Sequence, residues 1–333
     1  MKSIFTHNYN DIIKIDNLLL AWSEFIVGKN KKQDVKLFSL NLMDNIIRLH
    51  EDLASMSYEH GGYHEFFITD PKRRHIHKAS VRDRLLHHAI YRILYPFFDK
   101  TFINDSYSCR INKGVHKAIN QFNKYSLKVS KNNTKACWVL KCDIRKFFAS
   151  INHNILIKII ESYIVDKKIL WLIKNIIDSF GVDNQKSIGL PLGNLTSQLL
   201  TNIYMNVFDQ FVKHKLKVKY YIRYADDFVF LFEERNKLDK ILMDINNFLQ
   251  NELNLSLHKD KLFINTFSSG MDFLGWVHFS SYRTLRKNTK NRMFNRIQQN
   301  PTNESLQSYL GLLKHGNTFK VKQELLNKYW LLK

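Results

Sequence analysis

Cysteine, proline and glycine are all scarce: the 333 residues contain 3 Cys, 4 Pro and 11 Gly. Cys109, Cys137 and Cys142 show no CxxC spacing. That excludes a cysteine-built zinc site or a disulfide framework, and it suits a reducing compartment. So little Pro and Gly excludes a disordered or linker-rich chain. No apolar run approaches the ~20 residues of a membrane span, and the first ten residues hold no signal-peptide core. A cytoplasmic protein without membrane contact is the expectation. Acids are short too, at 30 against 51 Lys and Arg, for a net charge of +21. Such an excess repels itself in a compact fold unless a polyanion neutralises it, so nucleic acid is the leading partner class.

What is present is globular: 44% of residues are hydrophobic and 24% charged, enough for a core spread over two or three subdomains. The first seventy residues read as mostly helical, through Ile12, Ile13, Leu18, Leu19 and Trp22, then Leu42, Ile46, Ile47 and Leu49. The charge is uneven. Residues 71–120 carry 11 Lys/Arg against 3 acids, and residues 281–333 carry 11 against 2. A solvated helix face does not require one sign, so both blocks point to phosphate contact. Arg283, Arg286, Lys287, Lys290 and Arg292 form the densest run, and helical spacing would put several on one face.

The middle of the chain holds the aspartates. Trp138–Ile144 reads as a buried strand, followed by a helix through Ile155, Ile159, Ile160 and Ile164. Gly189-Leu-Pro-Leu-Gly193 is a breaker-rich loop. Leu199, Ile203, Val207 and Phe211 then recur every four residues, the mark of an amphipathic helix. Tyr220–Arg223 and Phe228–Phe232 flank Tyr224-Ala-Asp-Asp227 as a hairpin. A second amphipathic helix runs through Leu238, Leu242, Ile245, Leu249 and Leu253. Phe273-Leu-Gly-Trp276 closes a further short strand pair. This order predicts an α+β layer with helices on one face of an antiparallel sheet. Adjacent carboxylates such as Asp226 and Asp227 repel, and a divalent cation removes that cost; oxygen ligands suit Mg²⁺. Asp143, at the end of an apolar strand, would complete a two-metal nucleotidyl-transfer site if that strand neighbours the hairpin in the sheet. Alone, the tetrapeptide is no more than a polar turn.

It is not alone. Asp143-Ile-Arg-Lys-Phe-Phe148, Leu190-Pro-Leu-Gly-Asn-Leu-Thr-Ser-Gln198, Tyr224-Ala-Asp-Asp227, Lys261 after Leu-Ser-Leu-His-Lys-Asp, and Phe273-Leu-Gly-Trp276 occur in the order of the reverse transcriptase motifs. The chain resembles that family from about residue 71 onward. The resemblance implies a right-hand polymerase: a helical extension over 1–70, fingers over 71–137, a ferredoxin-like palm over 138–280 and a helical thumb over 281–333. It implies metal ligation by Asp143, Asp226, Asp227 and the Ile144 carbonyl, and protonation of leaving pyrophosphate by Lys261. Lys72, Arg74 and Arg110 would hold the incoming triphosphate. Leu192 and Gly193 would line the nucleotide loop, and Phe148 would be the ring that excludes a ribose 2′-OH, with Phe147 beside it in the core. Phe273, Leu274, Gly275 and Trp276 would be the primer grip, and Arg283, Arg286, Lys287 and Lys290 the RNA contacts. Template RNA, cDNA and deoxynucleotides are the implied partners.

Departures narrow the type. Leu192 stands where relatives have Gln, and Gln198 follows Ser197 where they have Pro. With Val81-Arg-Asp-Arg-Leu-Leu-His-His88, Asp105-Ser-Tyr-Ser-Cys-Arg110 and the segment Ser308–Asn317, this resembles the enzymes of diversity-generating retroelements. These copy a structured RNA into adenine-mutagenised cDNA with a small accessory protein. Defence-associated reverse transcriptases, which act against phage with a non-coding RNA, share the same core. A retron enzyme matches the loop less well, and an inactive RNA-binding scaffold would not need all three aspartates. A group II intron maturase is expected to need a further region for which 333 residues leave no room.

Overall fold

The computed structural model describes residues 4–70, 72–182 and 187–332. Pro71, at the expected start of the fingers, and Lys333, at the end of the expected thumb, lie outside the described residues, as do 1–3 and 183–186. In chain order, α1 (Tyr9–Ile13), α2 (Ile15–Phe25), α3 (Gln33–Leu40) and α4 (Leu42–Ala54) precede β1 (Tyr63–Ile68) and β2 (Arg74–Ala79). Then come α5 (Val81–Thr101), α6 (Val115–Val129), β3 (Trp138–Asp143), α7 (His153–Glu161), α8 (Lys167–Asp178) and α9 (Leu195–Gln210). The hairpin β4 (Tyr221–Tyr224) and β5 (Asp227–Phe232) leads into α10 (Arg235–Leu253) and β6 (Phe263–Thr266). Last are β7 (Met271–Phe273), β8 (Trp276–His278), β9 (Arg283–Leu285), α11 (Lys287–Gln299), α12 (Asn303–Leu313) and α13 (Phe319–Leu331).

The chain threads back and forth between two compact units. One comprises Met1–Asn104, Ile144–Lys215 and Asn246–Ser256; the other comprises Asp105–Asp143, Leu216–Ile245 and Leu257–Lys333. In the first, α5 is the organising helix, packing against α1, α2, α3 and α9. Its start is fixed by Ser80, whose hydroxyl accepts from the Asp83 N–H. The Asp83 carboxylate, fully buried, accepts in turn from the Tyr58 hydroxyl (2.7 Å), the Ser80 hydroxyl (2.6 Å) and the Gly61 N–H (3.1 Å). The first seventy residues are mostly helical, as their apolar spacing predicts, except for β1, which pairs antiparallel with β2 from Tyr63 opposite Ala79 to Ile68 opposite Arg74. The expected boundary at residue 71 therefore falls inside one hairpin. On α9, buried residues lie on nearly all sides, from Thr196 through Asp209. It is buried well beyond the one apolar face that its four-residue repeat suggests.

The second unit holds a four-stranded antiparallel sheet in the order β4-β5-β3-β6. Numbered along the chain as first to fourth, these strands lie 2-3-1-4, the ferredoxin-like arrangement. One face packs with α6 on a cluster that includes Phe122, Val139, Val229, Leu231 and Phe273. The alternate residues Leu140, Cys142, Phe228 and Phe230 are also fully buried. The sheet is thus covered on both faces, against the expectation of helices on one. That is why its strands read as continuous apolar runs without alternation. The helices α11, α12 and α13 form a separate cluster around Met293, Ile297, Leu306, Leu313, Leu325 and Tyr329.

Candidate active site

Strand pairing brings the aspartates together. Asp143 ends β3 directly opposite Asp227, the first residue of β5, and Tyr224 faces Asp227 across the β4–β5 hairpin. Ala225 and Asp226 form the two-residue turn. Ala225 sits at φ +56°, a left-handed conformation that costs an L-residue roughly 1–2 kcal/mol. Arg223 supports the strained turn from below. Its side chain is fully buried, with Nη1 donating to the Ala225 carbonyl (3.1 Å) and Nη2 to the Ser106 hydroxyl (3.1 Å). Ser106 in turn bridges to Arg223 as a parallel extension of the sheet edge.

Two lysines meet the carboxylates. A short turn over Lys259–Lys261 brings Lys261 Nζ to 2.7 Å from Asp143 Oδ1. The His258 N–H donates to the Asp143 carbonyl (2.8 Å), which fixes that turn against the strand. Lys141, two residues before Asp143 and so on the same sheet face, places Nζ 3.7 Å from Asp227 Oδ2 and donates to the Asp272 carbonyl (3.0 Å). Asp227 Oδ1 is buried with no hydrogen-bond partner. Burial, and secondarily Asp143 and Asp226, push the Asp227 carboxyl up to about 7 despite Lys141. An oxygen-only donor set with an orphaned, destabilised carboxylate fits a hard divalent cation, which would restore the anionic form.

The remaining expected residues divide between the units. Arg110 shares the unit of the aspartates; its Nη1 donates to the Ser106 carbonyl (3.0 Å), so it braces the segment that pairs with β4. Lys72, Arg74, Ile144, Phe148, Leu192 and Gly193 belong to the other unit. There, Lys72 and Arg74 are exposed on the β1–β2 hairpin. Ile144 is buried. Phe148 is half-buried and Phe147 fully so. The loop after Pro191 lies along β2. His77 N–H donates to the Leu192 carbonyl (3.0 Å), and the Asn194 side-chain amide donates to the His77 carbonyl (2.8 Å). Gly193 sits at φ +116°, and a Cβ there would come 2.9 Å from Ile76 Cγ2. Only glycine allows so close an approach.

Two sets of expected contacts have surroundings that their motifs do not show. Phe273 and Trp276 are buried core residues, leaving only the Leu274–Gly275 turn, with φ +51° and +87°, at the surface. Only Lys287, Lys290 and Arg292 of the expected thumb cations lie on α11, which begins at Lys287; Arg283 and Arg286 precede it. Arg283 lies on β9 and donates to the His315 carbonyl, Arg286 pairs with Asp272, and Lys290 pairs with Glu324. Sequence reasoning missed Lys141 and Arg223. Their signal was a cation inside each apolar strand, where burial demands a partner.

Residues 69–278 match the family described as reverse transcriptase (RNA-dependent DNA polymerase). The chain belongs to the reverse transcriptase family. With that come RNA-directed DNA polymerase as its enzyme class and the right-hand fold, whose palm is the sheet above. It is 26% identical to protein YkfC of Escherichia coli over 73% of this chain and 71% of that one. It is 28% identical to the group II intron-encoded protein LtrA of Lactococcus lactis over 45% of this chain and 24% of LtrA. Among solved structures, apo telomerase of Candida tropicalis aligns over 67% of this chain and 55% of that one, with TM-score 0.49 and 15% identity. The chain thus spans most of YkfC but about a quarter of LtrA. Reverse transcriptases generally use divalent metal ions. No helix among the described residues is long and apolar enough to cross a membrane.

Proposed function

We propose that the chain copies a structured RNA into cDNA from deoxynucleotides with Mg²⁺, in the error-prone manner of diversity-generating retroelements. The observation that carries the polymerase reading is the Asp143–Asp227 strand pair beside Asp226, with one carboxylate oxygen buried and unpartnered. Asp143, Asp226 and Asp227, with the Ile144 carbonyl, would hold Mg²⁺, whose Lewis acidity would serve primer-hydroxyl activation and charge neutralisation on the departing phosphates. Lys261, already in hydrogen-bond reach of Asp143, is our candidate for proton delivery to pyrophosphate. Lys141 keeps Asp227 oriented, and Arg223 holds the turn that presents Asp226. Lys72, Arg74 and Arg110 are proposed for the triphosphate, Leu192 and Gly193 for the nucleotide loop, Phe148 for exclusion of the 2′-OH, and Leu274–Gly275 for the primer. Fingers over 71–137, palm over 138–280 and thumb over 281–333 follow from the same reading, as does a prokaryotic, cytoplasmic setting.

The subtype rests on Leu192 and Gln198 in the loop. Three segments that resemble the same group carry structural duties: Asp83 anchors Tyr58 and Gly61, Asp105 accepts from Tyr107 and Tyr125, and Arg283 donates to the His315 carbonyl and accepts from the Asn317 N–H. Such duties serve any subtype, so these segments weigh less than the loop. Likeness to LtrA, intron-encoded by name, favours an intron-borne role as the second reading. Primer extension on an RNA template, followed by sequencing of the cDNA, tests both. Errors concentrated opposite template adenines support the diversity-generating reading, and an even error spectrum removes it in favour of an intron-borne or defence role. No RNA-templated product at all removes the polymerase reading.

A further inference from the structure

The β1–β2 hairpin carries a cluster that polymerisation does not use. Glu65 lies opposite His77 in the strand register, and His75 lies two residues before His77 on the same face. His75 Nε2 is 3.0 Å and His77 Nε2 3.7 Å from the two oxygens of the Glu65 carboxylate. The ligand atoms of all three residues lie within 4.8 Å of one another, and among the described residues no other trio of His, Cys, Asp or Glu does so. Ring packing supports the imidazoles. His75 stacks on Phe67 at 4.5 Å, and His77 meets Phe180 edge-on at 4.7 Å. Arg74 and Ile76 alternate onto the opposite face, so the cluster is separate from the cations proposed for the triphosphate.

We propose that Glu65, His75 and His77 form a binding site for a transition-metal ion of the zinc class. Two imidazoles and one carboxylate make an open three-ligand set for Zn²⁺, with the fourth position left to water. Ligand atoms of a tetrahedral zinc lie about 3.3 Å apart, so closure asks for small rotations of the exposed Glu65 and His75 side chains. Imidazole ligands select against Mg²⁺, which keeps this site chemically distinct from the aspartates. An ion here would clip β1 to β2. Because the His77 backbone holds Leu192 and Asn194, it would also stiffen the strand against which that loop lies. The competing explanation is a plain His–Glu surface pair.

The test uses the untagged full chain titrated with Co²⁺, whose visible absorption reports tetrahedral coordination, in excess Mg²⁺. One equivalent of tetrahedral Co²⁺, displaced by Zn²⁺, is expected for wild type. Glu65→Gln and His75→Asn should each weaken binding by more than the ~10-fold that even an outer-shell change costs. His64→Asn, on the same strand but the other face, should bind as wild type does. Zn²⁺ should raise the melting temperature of wild type and His64→Asn only. A wild-type spectrum of the hydrated ion alone, or equal binding by all variants, overturns the proposal. Neither readout depends on polymerase activity, so its failure is distinct from failure of the reverse transcriptase reading.

Discussion

Phe147 and Phe148 are neighbours in sequence with different surroundings. Phe147 is 4% exposed, whereas Phe148 is half-buried and its carbonyl accepts from the Leu190 N–H at 2.8 Å. Truncating Phe147 should therefore cost about 3–5 kcal/mol of stability. Phe148→Ala should cost less and instead raise ribonucleotide incorporation, read as the ratio of dNTP to rNTP kcat/KM. Unchanged discrimination would assign Phe148 to packing alone. At this scale the sequence is legible where a residue type has one main use. Adjacent aspartates at a hairpin turn are such a case. It is less legible where a side chain's partner is remote. Arg286 reads as an RNA contact until Asp272 is found beside it, and Lys141 reads as strand filler until the register sets Asp227 across from Asp143.

Among the elements, α5 shows how a motif can serve the fold. Asp83 receives three hydrogen bonds at the helix N-terminus, so Asp83→Ala leaves the buried Tyr58 hydroxyl and the Gly61 N–H without their acceptor. A loss of roughly 2–5 kcal/mol in urea unfolding is expected; a loss under 1 kcal/mol would show that Asp83 does not anchor Tyr58 and Gly61. The same helix carries His87, pushed down to about 3 chiefly by burial, and His88, pushed down to about 4. Both stay neutral in the fold while the unfolded chain protonates near 6.5. Their contribution is present above pH 6.5 and is lost as pH falls toward 4 and below, by at most about 1.4 kcal/mol per pH unit for each. The melting temperature should drop over that window, and His87→Phe should flatten the drop. Element types were legible in the palm, where apolar runs are bounded by turn residues. β1 was not, because Tyr63-His-Glu-Phe-Phe-Ile68 has little alternation and owes its strand to pairing with β2.

For the whole molecule, net +21 predicts RNA affinity that falls steeply with salt as counterions are released. The thumb's share is smaller than its cation count suggests, because Arg286 and Lys290 already pair with Asp272 and Glu324. Exchanging one anionic partner for another gains little. Lys287→Ala should lower the slope of log affinity against log salt by about 0.7–0.9, while Arg286→Ala should change it less. Equal changes in a salt titration would mean that both ion pairs open on RNA.

In the proposed function, the carboxylates at the β3 and β4–β5 strand ends perform RNA-templated DNA synthesis. Single-turnover extension of a primer on an RNA template by Asp226→Asn, measured beside RNA affinity, tests it most directly. The expected rate is lower by at least about 10²-fold, the scale of losing one aligned transition-state charge, with RNA affinity within about twofold of wild type. Extension at near wild-type rate with RNA still bound would contradict it.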